Sequence, residues 1–398
     1  MVSPLDSPQP VFAVPNAAEI PDDELDKPRV AALRSDETSG LPPIIFGAAA
    51  LSHHYNNDEH LAGSMPVRTV RLALRHGISA FDTSPYYGVS EIVLGACLKA
   101  LEAEFPRSSY VLMTKCGRYG GAPEDFDYSP ATIRKSVERS LKRMHTSYLD
   151  AVYLHDTEYV CERIEGRSAG NHSAALTSEQ AQYGLQEGDE AKVWGEGDQK
   201  ILDAVAELRK MKQEGLVKHI GITGYPLPTL LRLATLVRHT APYEPLDVLL
   251  SYSHLHLQND TFALFAPYFK ERAGIEHIIT ASPLNMGLLT PVPPPWHPAP
   301  PALQDAARKA SDMCLVQEWK AGLPDLALGY AYTKAKELGV PTVVGLSKPE
   351  EVHGTMKVWY ELNSEGGDTA AARRAAEGKV LEQLSGFRGD SWASPPVV

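Results

Sequence analysis

Between about residues 43 and 361 the chain repeats one unit eight times: a short apolar run, a polar turn, then apolar residues at helical spacing. The apolar runs predict strands at 44–47, 78–82, 110–115, 149–155, 217–222, 246–251, 276–281 and 342–345. Helices are expected at 67–76 and 90–104, from Ser129-Pro130 through Met144, and from Ile201 until Gly215. Others follow at 229–238 and 261–272, between 302 and 339, from Pro349 onward and at 370–385. The local signals are specific. Ser129-Pro130 joins an N-cap to a first-turn proline, with Ile133, Val137, Leu141 and Met144 as one stripe behind it. Alternating strand and helix units imply a parallel sheet, and eight of them fit a (β/α)8 TIM barrel, an α/β fold whose sites lie at the strand C-terminal ends. The rival, a doubly wound sheet, would carry G-x-G-x-x-G after a strand, and no strand here does.

Two segments fall outside the rhythm. Residues 1–41, rich in Pro, Asp and Glu, read as a flexible N-terminal arm. The polar, Gly- and Glu-rich stretch 156–200 after the fourth strand reads as a long surface loop inserted into a single barrel domain of residues 42–398. A net charge of −12 with no basic run argues against a nucleic-acid backbone as partner. Four cysteines, Cys97, Cys116, Cys161 and Cys314, show no CxxC spacing and read as free thiols. No basic-then-apolar leader and no membrane-length apolar run occur, so a soluble, cytoplasmic protein is expected. Oligomeric state is not legible.

Polar groups gather at successive strand ends. Phe81-Asp82-Thr83-Ser84-Pro85-Tyr86-Tyr87-Gly88 leaves the second strand, Lys115 ends the third and His155 the fourth. If the strands are parallel neighbours, Asp82, Tyr87, Lys115 and His155 converge. Alternation then places Ile78 and Ala80 with Asp82, Val111 and Met113 with Lys115, and Ala151 and Tyr153 with His155, all on the inner face. Tyrosine at its ordinary pKa of about 10 is a poor proton carrier at neutral pH. A lysine beside it lowers that value, an aspartate keeps the lysine charged, and a histidine can orient the reacting oxygen. The four are candidate catalytic residues of a proton-transfer site. His53-His54 and His254-x-His256 offer no convincing third ligand, so no metal is expected.

At these residues the sequence resembles the aldo-keto reductases. Asp82-Thr83-Ser84-x-x-Tyr87-Gly88, Lys115 and His155 match that family's tetrad by position, over about residues 42–361. Gly221-Ile222-Thr223-Gly224-Tyr225-Pro226-Leu227, Leu250-Ser251-Tyr252-Ser253-His254, the run from Ala281 to Thr290, and Pro295-Trp296-His297-Pro298-Ala299 resemble the branch of L-galactose and NAD-dependent D-arabinose 1-dehydrogenases. The resemblance implies hydride transfer between C1 of an aldose and a nicotinamide held across the barrel mouth, giving an aldonolactone. Tyr87 would take the proton, Lys115 and Asp82 would stabilise its phenolate, and His155 would orient the sugar. It further implies cofactor contacts at Thr223, Ser251, Ser282, Pro283, Leu284, Gly287, Gly345, Ser347 and Glu351. His53, His54 and Tyr55 would line the sugar pocket, with Tyr119 of the glycine-rich loop a lid contact.

There are departures. Where many relatives hold the nicotinamide carboxamide with a Ser-Asn pair and a Gln, this chain has Thr223-Gly224 and Ser251; where a Tyr often stacks on the ring, it has Ala281. Lys348 could meet the 2′-phosphate of NADP, but Glu350 and Glu351 follow at once and would repel it, so NAD is expected over NADP. The competing readings are an NADPH-dependent aldehyde or ketone reductase and a cofactor-binding regulatory subunit.

Overall fold

The computed structural model describes residues 5, 10–37, 39–316, 319, 321–364 and 368–396. Eight strands close into a barrel in chain order, each parallel to its neighbours: β1 (Ile44–Gly47), β2 (Ala80–Asp82), β3 (Val111–Cys116), β4 (Leu149–Leu154), β5 (Val217–Gly224), β6 (Val248–Tyr252), β7 (His277–Ala281) and β8 (Thr342–Gly345). The helices that follow the eight strands in turn are α1 (Met65–Arg75), α2 (Ser90–Ala100), α3 (Pro130–Arg143), α4 (Glu196–Gln213), α5 (Leu227–Arg238), α6 (Phe262–Glu271), α7 (Gly322–Leu338) and α8 (Pro349–Asn363), with further helices at Pro301–Val316 and Asp368–Gln383. The expected (β/α)8 barrel is therefore the fold.

Strand alternation sorts the apolar residues into two layers. Ile45, Ala80, Met113, Ala151, Tyr153, Val248, Leu250, Ile279 and Val343 fill the barrel interior, with Val111 packed against them. Phe46, Phe81, Leu112, Val152 and Ile222 face the helices instead. One expectation fails: Ile78 belongs to the outer layer, because β2 begins only at Ala80. Helix α2 also stops four residues short of its expected end, with Leu101 as its C-cap.

The expected flexible arm is a packed segment over its described part. Asp26 is fully buried, receiving Arg68 at 2.7 Å and lying 3.5 Å from Arg71, both on α1. Arg75 bonds Asp22 at 2.7 Å, the Leu33 N–H donates to the His76 carbonyl, and His353 of α8 bonds the Leu25 carbonyl. The composition that suggested disorder is a set of acids matched to three arginines along one face of α1. Burial alone would raise the Asp26 carboxyl, yet Arg68 and the Asp23 N–H hold it below the usual range.

The stretch 156–200 is likewise no open loop. Short turns of 3-10 helix bury Ala175, Leu176, Tyr183 and Leu185, and α4 starts within it at Glu196. Arg232 of α5 pairs with buried Asp198 at 2.6 Å. Gly170–Asn171 pairs antiparallel with Asp390–Ser391, so the chain's last described segment is strapped across the insertion. Gln258 Nε2 donates to the Phe387 and Asp390 carbonyls, and His254 bonds Ser391 Oγ at 3.0 Å. His254 and His256 thus serve the strap: His256 Nδ1 accepts from the backbone of Gln258 and Asn259.

Asp26→Ala leaves two arginines without their buried anion. We expect it to cost about 3 kcal/mol in urea unfolding and to expose residues 10–37 to limited proteolysis. A loss well under 1 kcal/mol would show that the segment contributes nothing to stability.

Candidate active site

The mouth is built from consecutive strand ends. Asp82 closes β2, Lys115 sits one residue from the end of β3, and His155 follows β4 directly. All three are buried, at 4%, 2% and 4% exposure, which makes their charges expensive unless matched. Lys115 Nζ meets Asp82 Oδ1 at 2.5 Å and donates to the Thr83 carbonyl at 3.0 Å. Burial opposes the lysine's charge, but Asp82 more than compensates and Lys115 is held above its ordinary value. Burial pushes the Asp82 carboxyl up and Lys115 pulls it back; the short contact is that of an ionised pair.

Tyr87 stands over this pair, its ring centroid 4.9 Å from Lys115 Nζ. Ser84 starts the turn by accepting the Tyr86 N–H at 3.1 Å, and Gly88 ends it at φ 59°, where a side chain would be strained. The expected lowering of the tyrosine does not result. Burial raises it most, Asp82 and Asp156 add to that, and Lys115 offsets only part, so Tyr87 is pushed up to about 12.

His155 lies edge-on to Tyr87 at 5.7 Å between centroids. Burial, with Lys115 and Arg118 nearby, holds it well below its usual range, so the ring is neutral. Its Nδ1 faces Ser84 Oγ at 2.9 Å. That hydroxyl accepts from Tyr86 N–H and keeps its own proton to give to Nδ1; in that tautomer the imidazole hydrogen sits on Nε2. The Tyr128 hydroxyl donates to the His155 carbonyl at 2.6 Å and fixes the backbone. The four tetrad positions therefore form one cluster: a phenol, a charged ammonium below it, and a neutral imidazole donor beside it.

The other half of the mouth comes from β5 to β8. Thr223 Oγ1, Ser251 Oγ and Ser253 Oγ are buried without a partner. So is Glu158 Oε2, which occupies the space a side chain at Gly224 would need. Burial and neighbouring Asp156 push Glu158 up to about 8. Its Oε1 accepts from Tyr225 N–H at 3.1 Å and from Ser394 Oγ of the strap at 2.8 Å, while Trp392 stacks on Tyr225 at 4.7 Å. Orphaned hydroxyls and a carboxyl oxygen at adjoining strand ends suit the amide of a nicotinamide, which both donates and accepts. Ser282 and Gly287, with φ 61° and 92°, bracket buried Pro283 and half-buried Leu284 after β7. Gly345, the last residue of β8, is exposed, and beyond it Glu351 Oε2 accepts from Ser347 N–H at 2.6 Å, Ser347 Oγ at 3.2 Å and Lys348 N–H at 3.2 Å.

The four residues expected to line a substrate pocket divide. His54 lies 5.8 Å from Tyr86 and exposed Tyr55 is edge-on to Trp296 at 6.3 Å, both at the rim. His53 is exposed and commits Nε2 to Asp58 at 2.7 Å. Tyr119 is no lid: its hydroxyl accepts the Gly117 N–H, and its ring turns toward Arg139 on α3. From the same loop Arg118 reaches the mouth instead, bonding Asp156 with its guanidinium 3.7 Å from the Tyr86 ring centroid. Arg118, Asp156 and Glu158 went unread in the sequence. Asp156 stands next to His155 at a strand end, the pattern that marks the tetrad, but the polar stretch it opens hides it. Among the described residues no group of three His, Cys, Asp or Glu side chains could hold a metal ion, and no helix is long and apolar enough to cross a membrane.

Comparison with known proteins bears on the fold and the family. Solved structures share the fold at low identity: an aldo-keto reductase from Bacillus halodurans (TM-score 0.56, 20% identical, covering 88% of this chain and 96% of that one) and a glycerol dehydrogenase from Gluconobacter oxydans (0.55, 19%, 92% and 98%). The chain is 37% identical over 341 residues to L-galactose dehydrogenase of Arabidopsis thaliana, covering 84% of this chain and 90% of the relative. It is 33% identical over 351 residues to D-arabinose 1-dehydrogenase of Saccharomyces cerevisiae, covering 87% and 90%. The sequence pattern of the Aldo/keto reductase family matches residues 43–369, and the chain belongs to that family.

Proposed function

We propose that this protein oxidises an aldose at C1 to its aldonolactone, with D-arabinose, L-galactose and L-fucose as candidate sugars and NAD as hydride acceptor. The observation that carries the reading is the buried Lys115–Asp82 pair beneath Tyr87, with neutral His155 alongside. The names of the Arabidopsis and yeast relatives point to the sugar class.

His155 Nε2–H donates to the anomeric hydroxyl oxygen and turns its hydrogen toward Tyr87. Tyr87 Oη takes that proton as the C1 hydrogen leaves. Lys115 stabilises the phenolate that must exist first, and Asp82 keeps the ammonium charged and fixed. An oxidised nicotinamide, when bound, would supply the hydride acceptor, and its positive charge would favour the Tyr87 phenolate alongside Lys115. Thr223, Ser251 and Glu158, whose buried side-chain oxygens lack partners, would hold its amide.

The cofactor choice rests on Glu351. Its carboxylate fills the N-terminus of α8 and accepts the N–H groups of Ser347 and Lys348, which could otherwise receive a phosphate. A 2′-phosphate would meet that charge at close range, whereas ribose hydroxyls can donate to it.

Three measurements test this. Reduction of NAD and NADP should be followed with the three sugars: we expect turnover with NAD at least about tenfold preferred, and turnover with NADP alone would refute the choice. Tyr87→Phe should lower kcat by at least about 10³-fold while NAD affinity, by titration calorimetry, changes little; unchanged turnover would remove its role. Because burial pushes Tyr87 up to about 12, its base form grows with pH above neutrality. The kcat/KM for sugar oxidation should therefore climb about tenfold per unit above neutrality, and a flat profile would exclude Tyr87 as the base.

A further inference from the structure

Beside the tetrad lies a second charged pair with one atom left over. Asp156 is 2% exposed, its Oδ2 bonds Arg118 and lies 3.7 Å from His155 Nε2, and its Oδ1 is buried with no partner. The backbone is held at φ 55°, a left-handed conformation uncommon outside glycine and reached most readily by asparagine and aspartate. Arg118 is pinned in turn: it lies 3.7 Å from the Tyr86 ring centroid, 5.3 Å from that of Phe126 and 5.4 Å from that of Tyr159, and donates Nε to the Gly120 carbonyl at 3.1 Å. Phe126 and Tyr159 stack on one another at 4.6 Å, closing an aromatic wall behind the guanidinium.

A carboxylate oxygen buried without a donor is costly in the free protein and becomes satisfied when a ligand brings one. The position of Asp156 says which. In the proposed reaction His155 Nε2 meets the oxygen on the reacting carbon, and Asp156 Oδ2 lies 3.7 Å from that nitrogen. An acceptor and a guanidinium donor held side by side match a hydroxyl, which both gives and takes a hydrogen bond.

We infer that Asp156 and Arg118 form the subsite that reads the sugar hydroxyl on C2, next to the reacting carbon. Asp156 Oδ1 accepts its proton and Arg118 donates to its oxygen. The inference rests on the aldose reading above and sharpens it. D-Arabinose, L-galactose and L-fucose carry the same hydroxyl configuration at C2, C3 and C4, so one C2 reader serves all three. D-Ribose, the C2 epimer of D-arabinose, points that hydroxyl away, and 2-deoxy-D-ribose is both pentoses without it.

The test is kcat/KM for D-arabinose, D-ribose and 2-deoxy-D-ribose with the wild-type protein, Asp156→Ala and Asp156→Asn at saturating cofactor. The wild type should favour D-arabinose over the deoxy sugar by about 10⁴-fold, as a site left with an unpaired buried group rejects the analogue that lacks the hydroxyl. In Asp156→Ala that preference should shrink to less than about tenfold, with the D-ribose preference collapsing in parallel. Should Asp156→Ala not fold, judged by circular dichroism, Asp156→Asn keeps the shape and should still reduce the preference at least about tenfold. Equal losses on all three sugars would show that Asp156 acts on the tetrad and not on the hydroxyl, which overturns the inference. So would wild-type turnover of D-arabinose without discrimination. No wild-type turnover of any aldose, with either dinucleotide, would instead defeat the aldose reading itself and this inference with it.

Discussion

A lysine at 2% exposure can remain an ammonium only against an anion, and the Lys115–Asp82 contact is the interaction on which this mouth depends. Such a pair is weak support for stability, since desolvating both charges offsets their attraction. Its value is a fixed positive charge beneath a phenol, in place before any substrate arrives. Register delivers it. Asp82 on β2 pairs with Met113 on β3, and Lys115 follows two residues on, so both face inward. A one-residue slip would turn Lys115 out and bring Thr114 in. That slip is blocked from outside: Thr114 Oγ1 bonds the fully buried Glu91 at 2.7 Å, and Ser140 and Arg143 hold the same carboxylate at 2.7 and 2.8 Å. An ionic cluster in the helical layer thus fixes which residue of β3 enters the mouth.

The opposing influences on Tyr87 explain why one cation is not enough. Burial, Asp82 and Asp156 favour the phenol, and Lys115 alone favours the phenolate. A permanently ionised tyrosine would be a poor donor for the reverse reaction, and an unassisted one a poor base for the forward. Burial first, with two carboxylates near the ammonium, keeps the group as a phenol at rest, and the ammonium is ready to support its anion when a proton must be taken.

Much of this was legible in the sequence because it rests on periodicity. All eight strands, their parallel order and the convergence of Asp82, Tyr87, Lys115 and His155 follow from apolar runs of strand length and polar residues at their tips. What escaped depends on pairings between distant segments. Composition made residues 10–37 look loose, since acidic residues around Asp26 are solvating unless arginines from α1 meet them. The stretch after β4 looked like an open loop because its closing strand comes from Asp390–Ser391, more than two hundred residues on. Tyr119 and Arg118 are adjacent in a loop with no period, and nothing local says which one turns inward. The sign of Tyr87's shift is not legible, because a sequence shows a neighbouring lysine but not the depth of burial.

Asp156 shows how local backbone geometry makes a site from consecutive residues. In an extended strand His155 and its successor would point to opposite faces, and only one could reach the mouth. The left-handed turn at Asp156 breaks the alternation, so its carboxylate comes round to lie 3.7 Å from the imidazole. The same conformation recurs at Ser253 after β6 and at Ser282, Asn285 and Met286 after β7, all non-glycine residues at strand C-terminal ends. Strain of this kind persists only where the surroundings over-determine it. Here those surroundings include Arg118 on Asp156, the strap bonded to His254 and Gln258, and the Gln258 side chain, which accepts from Asn285 at 3.1 Å. The barrel strands set the proton-transfer cluster by register alone, whereas the groups around it are set by turns that need partners elsewhere in the chain. In this arrangement a loop can change what the site recognises while the chemistry beneath it stays fixed.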